Sequence, residues 1–524
     1  MKVNNSHSCV VKSAGIIGFA TLCSRILGLI RDIIIARLFG VYVYAQAFVV
    51  AFKIPNLFRD LLGEGAANAA FVPVFSEYSL KHTKEEFWEL VNIVLNLLLV
   101  VLMAVTLLGI LLAPVIVRII APGFIADKEK LETTIAMARM IFPYVLLISL
   151  SSYAAAILNT LKHFSIPAFA PCLLNLSIIV FAVILGEGVK GLSLGVLAGG
   201  ILQLAIQIPI LYKKGFRPRY FLKRFRHPAG KVIGKLMLPR LFSSCIYQLN
   251  NFVDSAFGSL TLIVGEGGVA GLYFAYRLIQ FPVGIFSNAL TQAVLPVFST
   301  QVLDENKQNL KQTLSFGLRA TFFVMVPAQA GFMFFARPLV SLLFEGGRFD
   351  AYSASTTASV LFFYSIGLFA YGAAKIAQSC FFALKDTATP AKISFLGLII
   401  NIILNTALMF PMKLAGLALA TSISGIITFV ILFFMLKKRL EPFDLEPIAI
   451  SFARISAASL FMGICCYYIL SRIDMAGITV LAKLLSASLL IGSGIFFYVI
   501  FCFVFRVKEM RETWDWFLSR KKSG

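Results

Sequence analysis

Apolar runs of twenty residues and more recur from one end of this chain to the other, and nothing else in it constrains the fold as much. About 20 apolar residues in a helix cross the hydrocarbon core of a bilayer. Only helices and closed barrels satisfy their own backbone there. The runs are continuous and do not alternate every second residue, which selects helices over a barrel. Composition agrees: 59% of the 524 residues are hydrophobic and 14% charged, against roughly 25% charged in a soluble domain. The expected fold class is an all-α polytopic membrane protein.

Fourteen transmembrane helices are expected, near 13–37, 44–75, 88–121, 132–159, 166–187, 190–212, 234–262, 268–299, 312–344, 353–382, 392–411, 415–436, 447–470 and 478–506. The first run contains Arg25, Arg31 and Asp32 and no small-residue cleavage site, so it reads as a retained span and not a signal peptide. The loops test the count. With the N-terminus inside, the inner loops hold Lys81 and Lys84, Lys162, the basic segment from Lys213 to Arg226, Lys307 and Lys311, Lys385, and Lys437 to Arg439. The outer loops are poorer, with Lys128 and Lys130 among acids, Lys190, a glycine turn at 265–268, Arg348 and Lys413. That is a positive-inside pattern with both termini cytoplasmic. The net charge of +22 is then topology, and no nucleic-acid partner is expected. The eight cysteines show neither metal nor disulfide spacing and read as small hydrophobes.

The basic segment also divides the chain into two similar halves. Phe71-Val72-Pro73-Val74-Phe75-Ser76 matches Val294-Leu295-Pro296-Val297-Phe298-Ser299, and Thr133-Thr134 matches Thr356-Thr357. Leu161-Lys162 with Pro167-Ala168 matches Leu384-Lys385 with Pro390-Ala391, all at an offset of 223 residues. Pro114 and Gly123 match Pro338 and Gly347 one residue further. Each half holds an even number of spans, so the repeat is parallel. The expected organisation is an N-lobe over 1–213, a basic cytoplasmic linker over 214–230, a C-lobe over 231–440, and two extra C-terminal helices within 441–524. Two six-helix lobes around a central cavity are a transporter arrangement.

An arginine at mid-bilayer costs several kcal/mol unless it meets a partner or a wet cavity. Arg25 and Arg31 lie in the first span, Arg59 in the second and Arg277 in the eighth. At 100° per residue, Ser24, Arg25, Gly28, Arg31 and Asp32 share one sector of about 120°. Ile26, Leu27, Ile30, Ile33 and Ile34 cover most of the rest. Asp32 stands two turns from Arg25 and is placed to hold it. The second span adds Lys53, Asp60 and Glu64. Structural ion pairs with Asp32, Asp60 and Glu64 are one reading. An anion site is the other: the planar fork of arginine matches phosphate, and several together suit a diphosphate. A second group, Asp254, Asn401, Asn405 and Thr421, offers the oxygens a small hard cation takes, or ordinary helix–helix hydrogen bonds. No nucleophile elbow, Walker loop or metalloprotease helix is found, so neither enzymatic activity nor a bound cofactor is expected. An ion gradient or the membrane potential is left as the energy source.

At these residues the sequence resembles the MurJ/MviN family of bacterial lipid II flippases, in the multidrug/oligosaccharidyl-lipid/polysaccharide (MOP) exporter superfamily. The resemblance is sharpest over Ser24 to Asp32 and Phe52 to Arg59. It continues through Glu64-Gly65-Ala66, Ala70 to Pro73, Phe164 to Pro171, Arg277-Leu278 with Phe281-Pro282, and Asp386-Thr387 with Thr389-Pro390. It implies fourteen helices, alternating access, and lipid II (undecaprenyl-diphosphate disaccharide-pentapeptide) as the substrate moved to the outer leaflet of the cytoplasmic membrane. The cavity arginines of the family correspond to Arg25, Arg31, Arg59 and Arg277, and an important acid to Glu64. A sodium site of some members corresponds to Asp254, Asn401, Asn405 and Thr421, so Na⁺ or H⁺ coupling is expected. Membrane lipids and the cell-wall synthesis machinery are the implied partners, for a chain acting as a monomer. Spans thirteen and fourteen would hold the polyprenyl tail. Three departures bear on the coupling ion: Gln46 and Asn405 replace aspartates, and Tyr276 replaces an acid. The nearest alternative is a related O-antigen or polysaccharide-lipid flippase, or another exporter of the superfamily.

Overall fold

The computed structural model describes residues 2–58, 66–186, 188–219, 248–304, 307–470 and 480–510. In chain order its first helices are α1 (Lys2–Phe39), α2 (Val43–Phe58), α3 (Ala66–Lys81), α4 (Lys84–Ile120), α5 (Lys128–Ile141), α6 (Tyr144–Thr160), α7 (Ser165–Leu185), α8 (Val189–Ala205) and α9 (Ile208–Lys214). There follow α10 (248–258), α11 (Thr261–Val264), α12 (Gly268–Pro282), a π-helical turn (Val283–Ser287) and α13 (Asn288–Gln301). The last are α14 (Gln308–Phe344), α15 (Ala351–Ser365), α16 (Leu368–Ala383), α17 (Ala388–Arg439), α18 (Glu446–Leu470) and α19 (Val480–Val504).

The protein is an all-α, multi-pass membrane protein. Among the described residues eight helices are long and apolar enough to cross a membrane, or nine if α15 and α16, bent by 45°, are one span. One of the eight contains two expected spans. Helix α17 runs for 52 residues but breaks at Lys413, whose φ is 51°. Asn401 Nδ2 donates to Thr421 Oγ1 at 3.2 Å, although a straight helix would set them about 30 Å apart. Helix α17 is therefore a hairpin of two antiparallel arms, matching spans 392–411 and 415–436. The expected spans 44–75, 234–262 and 478–506 each run partly through residues outside the description.

The repeat is written into the backbone. Asp127 and Asp350, 223 residues apart, both cap a helix by accepting from the backbone N–H three residues on. Lys162 and Lys385 both take φ 59°. In the first turn the N–H groups of Leu161, Lys162 and His163 bond the carbonyls of Ile157, Asn159 and Leu158. In the second, Leu384, Lys385 and Asp386 bond those of Cys380, Phe382 and Phe381. Helices α4 and α14 each have 37 residues and carry the matched prolines Pro114 and Pro338. Parallel repeats of this kind are a transporter feature.

By contacts the chain forms two compact units. Unit 1 comprises Met1–Leu262, Glu266–Ala270 and Gly346–Phe349; unit 2 comprises Ile263–Gly265, Gly271–Glu345 and Asp350–Gly524. In unit 2, α14, α16, the second arm of α17 and α18 share one apolar core that includes Phe322, Ile376, Phe429 and Ile455. Arg319 closes it with an ion pair to Glu509 at 2.7 Å, and Ser451 Oγ donates to the same carboxylate.

Unit 1 gathers pieces from both sequence halves. Helix α10 belongs to it: Lys53 Nζ donates to the Asn251 carbonyl at 2.8 Å and to Ser255 Oγ. The matched glycines dock in a crossed manner. Gly123 N–H donates to Ser259 Oγ at 2.9 Å, and a Cβ at Gly123 would lie 2.0 Å from the Ser259 carbonyl oxygen. Arg348 N–H donates to the Arg37 carbonyl at 2.9 Å, and a Cβ at Gly347 would lie 2.3 Å from that oxygen. Between them, Glu266 accepts from Lys130 Nζ at 2.9 Å and from Gln46 Nε2 at 2.8 Å. Lys130 is only 1% exposed, yet its ammonium is also 3.5 Å from Asp127. A buried lysine so paired is a fixed joint, because leaving it unpaired would be costly. Gly347 also holds φ +59°, which an L-residue reaches at a cost of roughly 1–3 kcal/mol. Gly347→Ala should therefore lower the melting temperature in detergent by several degrees, and an unchanged melting curve would show that this turn docks without strain.

Candidate functional site

Helix α1 presents the polar face expected of it. Gly28, Arg31 and Asp32 are buried and Arg25 half-buried, whereas Ile26 and Ile30 are exposed. Arg31 is 3% exposed and Asp32 fully buried. Arg31 Nε and Nη2 both donate to Asp32 Oδ1, at 3.0 and 2.8 Å. Its third nitrogen, Nη1, donates to Asn175 Oδ1 of α7 at 3.0 Å. Asn175 Nδ2 in turn donates to the Ser24 carbonyl of α1 at 3.1 Å. The guanidinium also lies 6.0 Å from the Phe52 ring centroid, within cation–π range. Asp32 thus binds the arginine beside it.

Asn175 was not singled out from the sequence. Its signal was one amide, the run's only polar residue besides Ser177, in the apolar stretch Leu173 to Leu185. It fixes α7 to α1 and holds one edge of the Arg31 fork. Arg59 and Glu64 lie outside the described residues, as does Asp60. Gln46 is fully buried in unit 1, where it serves the Glu266 joint.

Arg277 stands half-buried on α12 of unit 2, its guanidinium 5.6 Å from the ring centroid of Tyr273 one turn back. Tyr276 accepts from Gln280 Nε2 at 2.5 Å and packs edge-on to Tyr364. After Pro282 the helix widens into the π-turn. Such turns insert a residue, shift the faces that follow, and are frequent at functional sites. The residue just beyond it, Asn288, accepts from Lys375 Nζ of α16 at 2.6 Å. Lys375 is a cation in the middle of an apolar span that sequence reasoning passed over, although the charge itself was the signal.

The proposed cation ligands are divided. Asp254 lies on α10 in unit 1; Asn401, Asn405 and Thr421 lie on α17 in unit 2. Asn405 Nδ2 donates to Asn401 Oδ1 at 3.0 Å, Asn401 donates to Thr421 Oγ1, and Thr421 donates to the Leu417 carbonyl at 3.1 Å. This chain of neutral groups ties the two arms of the hairpin together. One oxygen, Asn405 Oδ1, is buried with no hydrogen-bond donor. A hard cation fits that oxygen, and it needs further oxygens, a carboxylate above all, that these three residues do not bring. Among the described residues no three His, Cys, Asp or Glu side chains are grouped to hold a metal ion.

Comparison with known proteins is specific. The family described as "Lipid II flippase MurJ" matches residues 35–488. A probable lipid II flippase MurJ of Buchnera aphidicola (from Acyrthosiphon pisum) is 36% identical over 422 residues, covering 79% of this chain and 81% of its own. The lipid II flippase MurJ of Burkholderia cenocepacia is 35% identical over 426 residues, covering 80% and 82%. A solved structure of the lipid II flippase MurJ in an inward closed conformation superposes with a TM-score of 0.77 at 27% identity, over 93% of this chain and 98% of that one. An inward-facing multidrug (MATE) transporter of the MOP superfamily superposes at 0.66 with 16% identity, over 79% and 94%, a likeness of fold alone. With a family match over most of its length and relatives above 30% identity, this chain belongs to the MurJ family of lipid II flippases.

Proposed function

We propose that this chain carries lipid II across the cytoplasmic membrane of a bacterium by alternating access, and that it does so as a transporter and not as an enzyme. The observation that carries the reading is the family match over residues 35–488. In this reading Arg25, Arg31, Arg59 and Arg277 bind the diphosphate, with Asp32 and Glu64 orienting them, and Lys375 adds a further cation in unit 2. Charge-assisted hydrogen bonds from guanidinium to phosphate are among the stronger a protein makes. The polyprenyl tail stays in lipid along α18 and α19. Both termini face the cytoplasm, and the protein works as a monomer alongside the cell-wall synthesis machinery.

Depletion tests the reading directly. With no second flippase present, depleting the protein should leave newly made lipid II protected from a membrane-impermeant reagent added outside the cell. Unchanged accessibility would exclude the function. The driving force proposed is an Na⁺ or H⁺ gradient or the membrane potential. The donor-free oxygen of Asn405 supports a cation. Asn405→Leu should then abolish any sodium dependence of flipping in proteoliposomes, and a dependence equal to wild type would remove Asn405 from the coupling.

A further inference from the structure

The two sequence halves end on the side with basic loops in matching turns that carry different charges. In unit 2 that end supplies its own anion. Arg439, the last residue of α17, donates to Asp386 Oδ2 at 2.5 Å. The same carboxyl accepts from Thr389 N–H at 3.0 Å and Thr389 Oγ1 at 2.8 Å. The Thr389 donors, with Arg439 behind them, hold the Asp386 carboxyl below its ordinary range.

In unit 1 the matching turn has the same backbone bonds but puts His163 where Asp386 stands. Gly191-Leu192 aligns with Gly416-Leu417, which places Lys214, the last residue of α9, opposite Arg439. Among the described residues no carboxylate is bonded to His163 or Lys214. Lys214 lines a half-open pocket of about 130 Å³ whose wall includes His82, Lys84, Phe87, Trp88 and Leu161 of the His163 turn. No acid lines it, and the Glu86 carboxylate nearby is taken by His82 Nδ1 at 3.0 Å. Trp88 Nε1–H is shut from solvent with no acceptor. It faces Gly215, as does the Lys84 ammonium: a Cβ on that glycine would lie 3.4 Å from the indole nitrogen and 3.7 Å from Lys84 Nζ. Gly215 itself takes φ +105°. The wall is held firmly. Asn92 Nδ2 donates to the carbonyls of Trp88 and Arg217, and Asn92 Oδ1 accepts from Arg219 N–H at 2.9 Å.

A buried donor without an acceptor is costly, and here the Trp88 side chain that carries it lines the pocket together with Lys84 and Lys214. The cavity is several times the roughly 30 Å³ share of one water and has room for a tetrahedral oxyanion. We propose that this cavity binds a phosphate group, supplied by an anionic phospholipid headgroup of the adjoining leaflet or by free phosphate, in place of the carboxylate that unit 2 draws from Asp386. The site is separate from the α1 arginines and does not depend on the lipid II reading.

Trp88 is a built-in reporter. The full chain with Trp514→Phe and Trp516→Phe keeps it as the sole tryptophan of the original three. This protein is placed in phosphatidylcholine nanodiscs and titrated with inorganic phosphate, and separately in discs of rising phosphatidylglycerol content without phosphate. The expected result is a saturable shift in Trp88 emission. A shift only with phosphatidylglycerol identifies a lipid headgroup, and a shift with phosphate identifies the free ion. Lys84→Gln with Lys214→Gln should weaken the response by at least about tenfold, roughly one lost charge-assisted bond. His163→Asp, which supplies the carboxylate internally, should abolish it at an unchanged melting temperature. Emission that moves in neither arm, or equally in the doubly substituted protein, overturns the proposal.

Discussion

Arg31→Ala should abolish rescue of a strain depleted of the protein and should also lower the stability of the purified chain, and the two losses have separate causes. The stability loss follows from burial. Arg31 gives two nitrogens to Asp32 Oδ1 and a third to Asn175, in a site where Asp32 is fully buried. Removing one partner of a buried pair costs about 3–5 kcal/mol, because the charge left behind is poorly solvated. The loss of rescue follows from the proposed diphosphate contact. A double substitution separates them. Arg31→Met with Asp32→Leu replaces the pair by apolar side chains of similar volume, and such replacements are often neutral or stabilising. Stability should return with this variant while growth does not. If growth returns as well, Arg31 serves only Asp32, and the anion is held by other residues. Arg25→Ala in the same assay should abolish rescue too.

The fold was legible where it depends on short-range pattern. Apolar runs marked the spans, and the wheel of α1 placed Ile26 and Ile30 outward and Arg31 and Asp32 inward, as the burial bears out. The repeat was legible as a constant offset, and the matched caps Asp127 and Asp350 explain why: each starts a helix by the same local bond. What pairs with what was less legible. Neighbours on a helix do not face each other, so the wheel points Asp32 toward Arg25 two turns away. The ion pair the structure shows at Asp32, one of those the sequence left open for the arginines, is with Arg31, whose long side chain bends back to the residue beside it. Asn175 reaches Arg31 across 144 positions, and Gln46 reaches Glu266 across 220. No periodicity reports contacts of that range. The amide of Asn175 and the ammonium of Lys375, each set in a mainly apolar run, were the available signal, since a strongly polar group in a span must find a partner.

Arg277→Ala should abolish rescue with a smaller change in stability than Arg31→Ala. The guanidinium is half-buried, so the groups around it keep access to water when it is removed, and its contact with the Tyr273 ring is worth about 0.5–1 kcal/mol at such a site. Its replacement therefore disturbs the fold less than breaking the buried Arg31–Asp32 pair. Arg277→Lys distinguishes a fork from a charge. Lysine keeps the charge but loses the planar pair of donors and the stacking. If the diphosphate is held bidentately, lysine should restore flipping only weakly, with affinity down by one to two orders of magnitude, about 1.5–3 kcal/mol for a lost charge-assisted bond. If only charge matters, lysine should rescue fully. Lys375→Met supplies the complementary case. Its ammonium is tethered to Asn288, one residue past the π-turn on the Arg277 helix. Loss of flipping in Lys375→Met, with recovery in Lys375→Arg, would place a second cation of unit 2 on the substrate. Full activity in Arg277→Ala and Lys375→Met together would instead confine anion binding to the arginines of α1 and the second span.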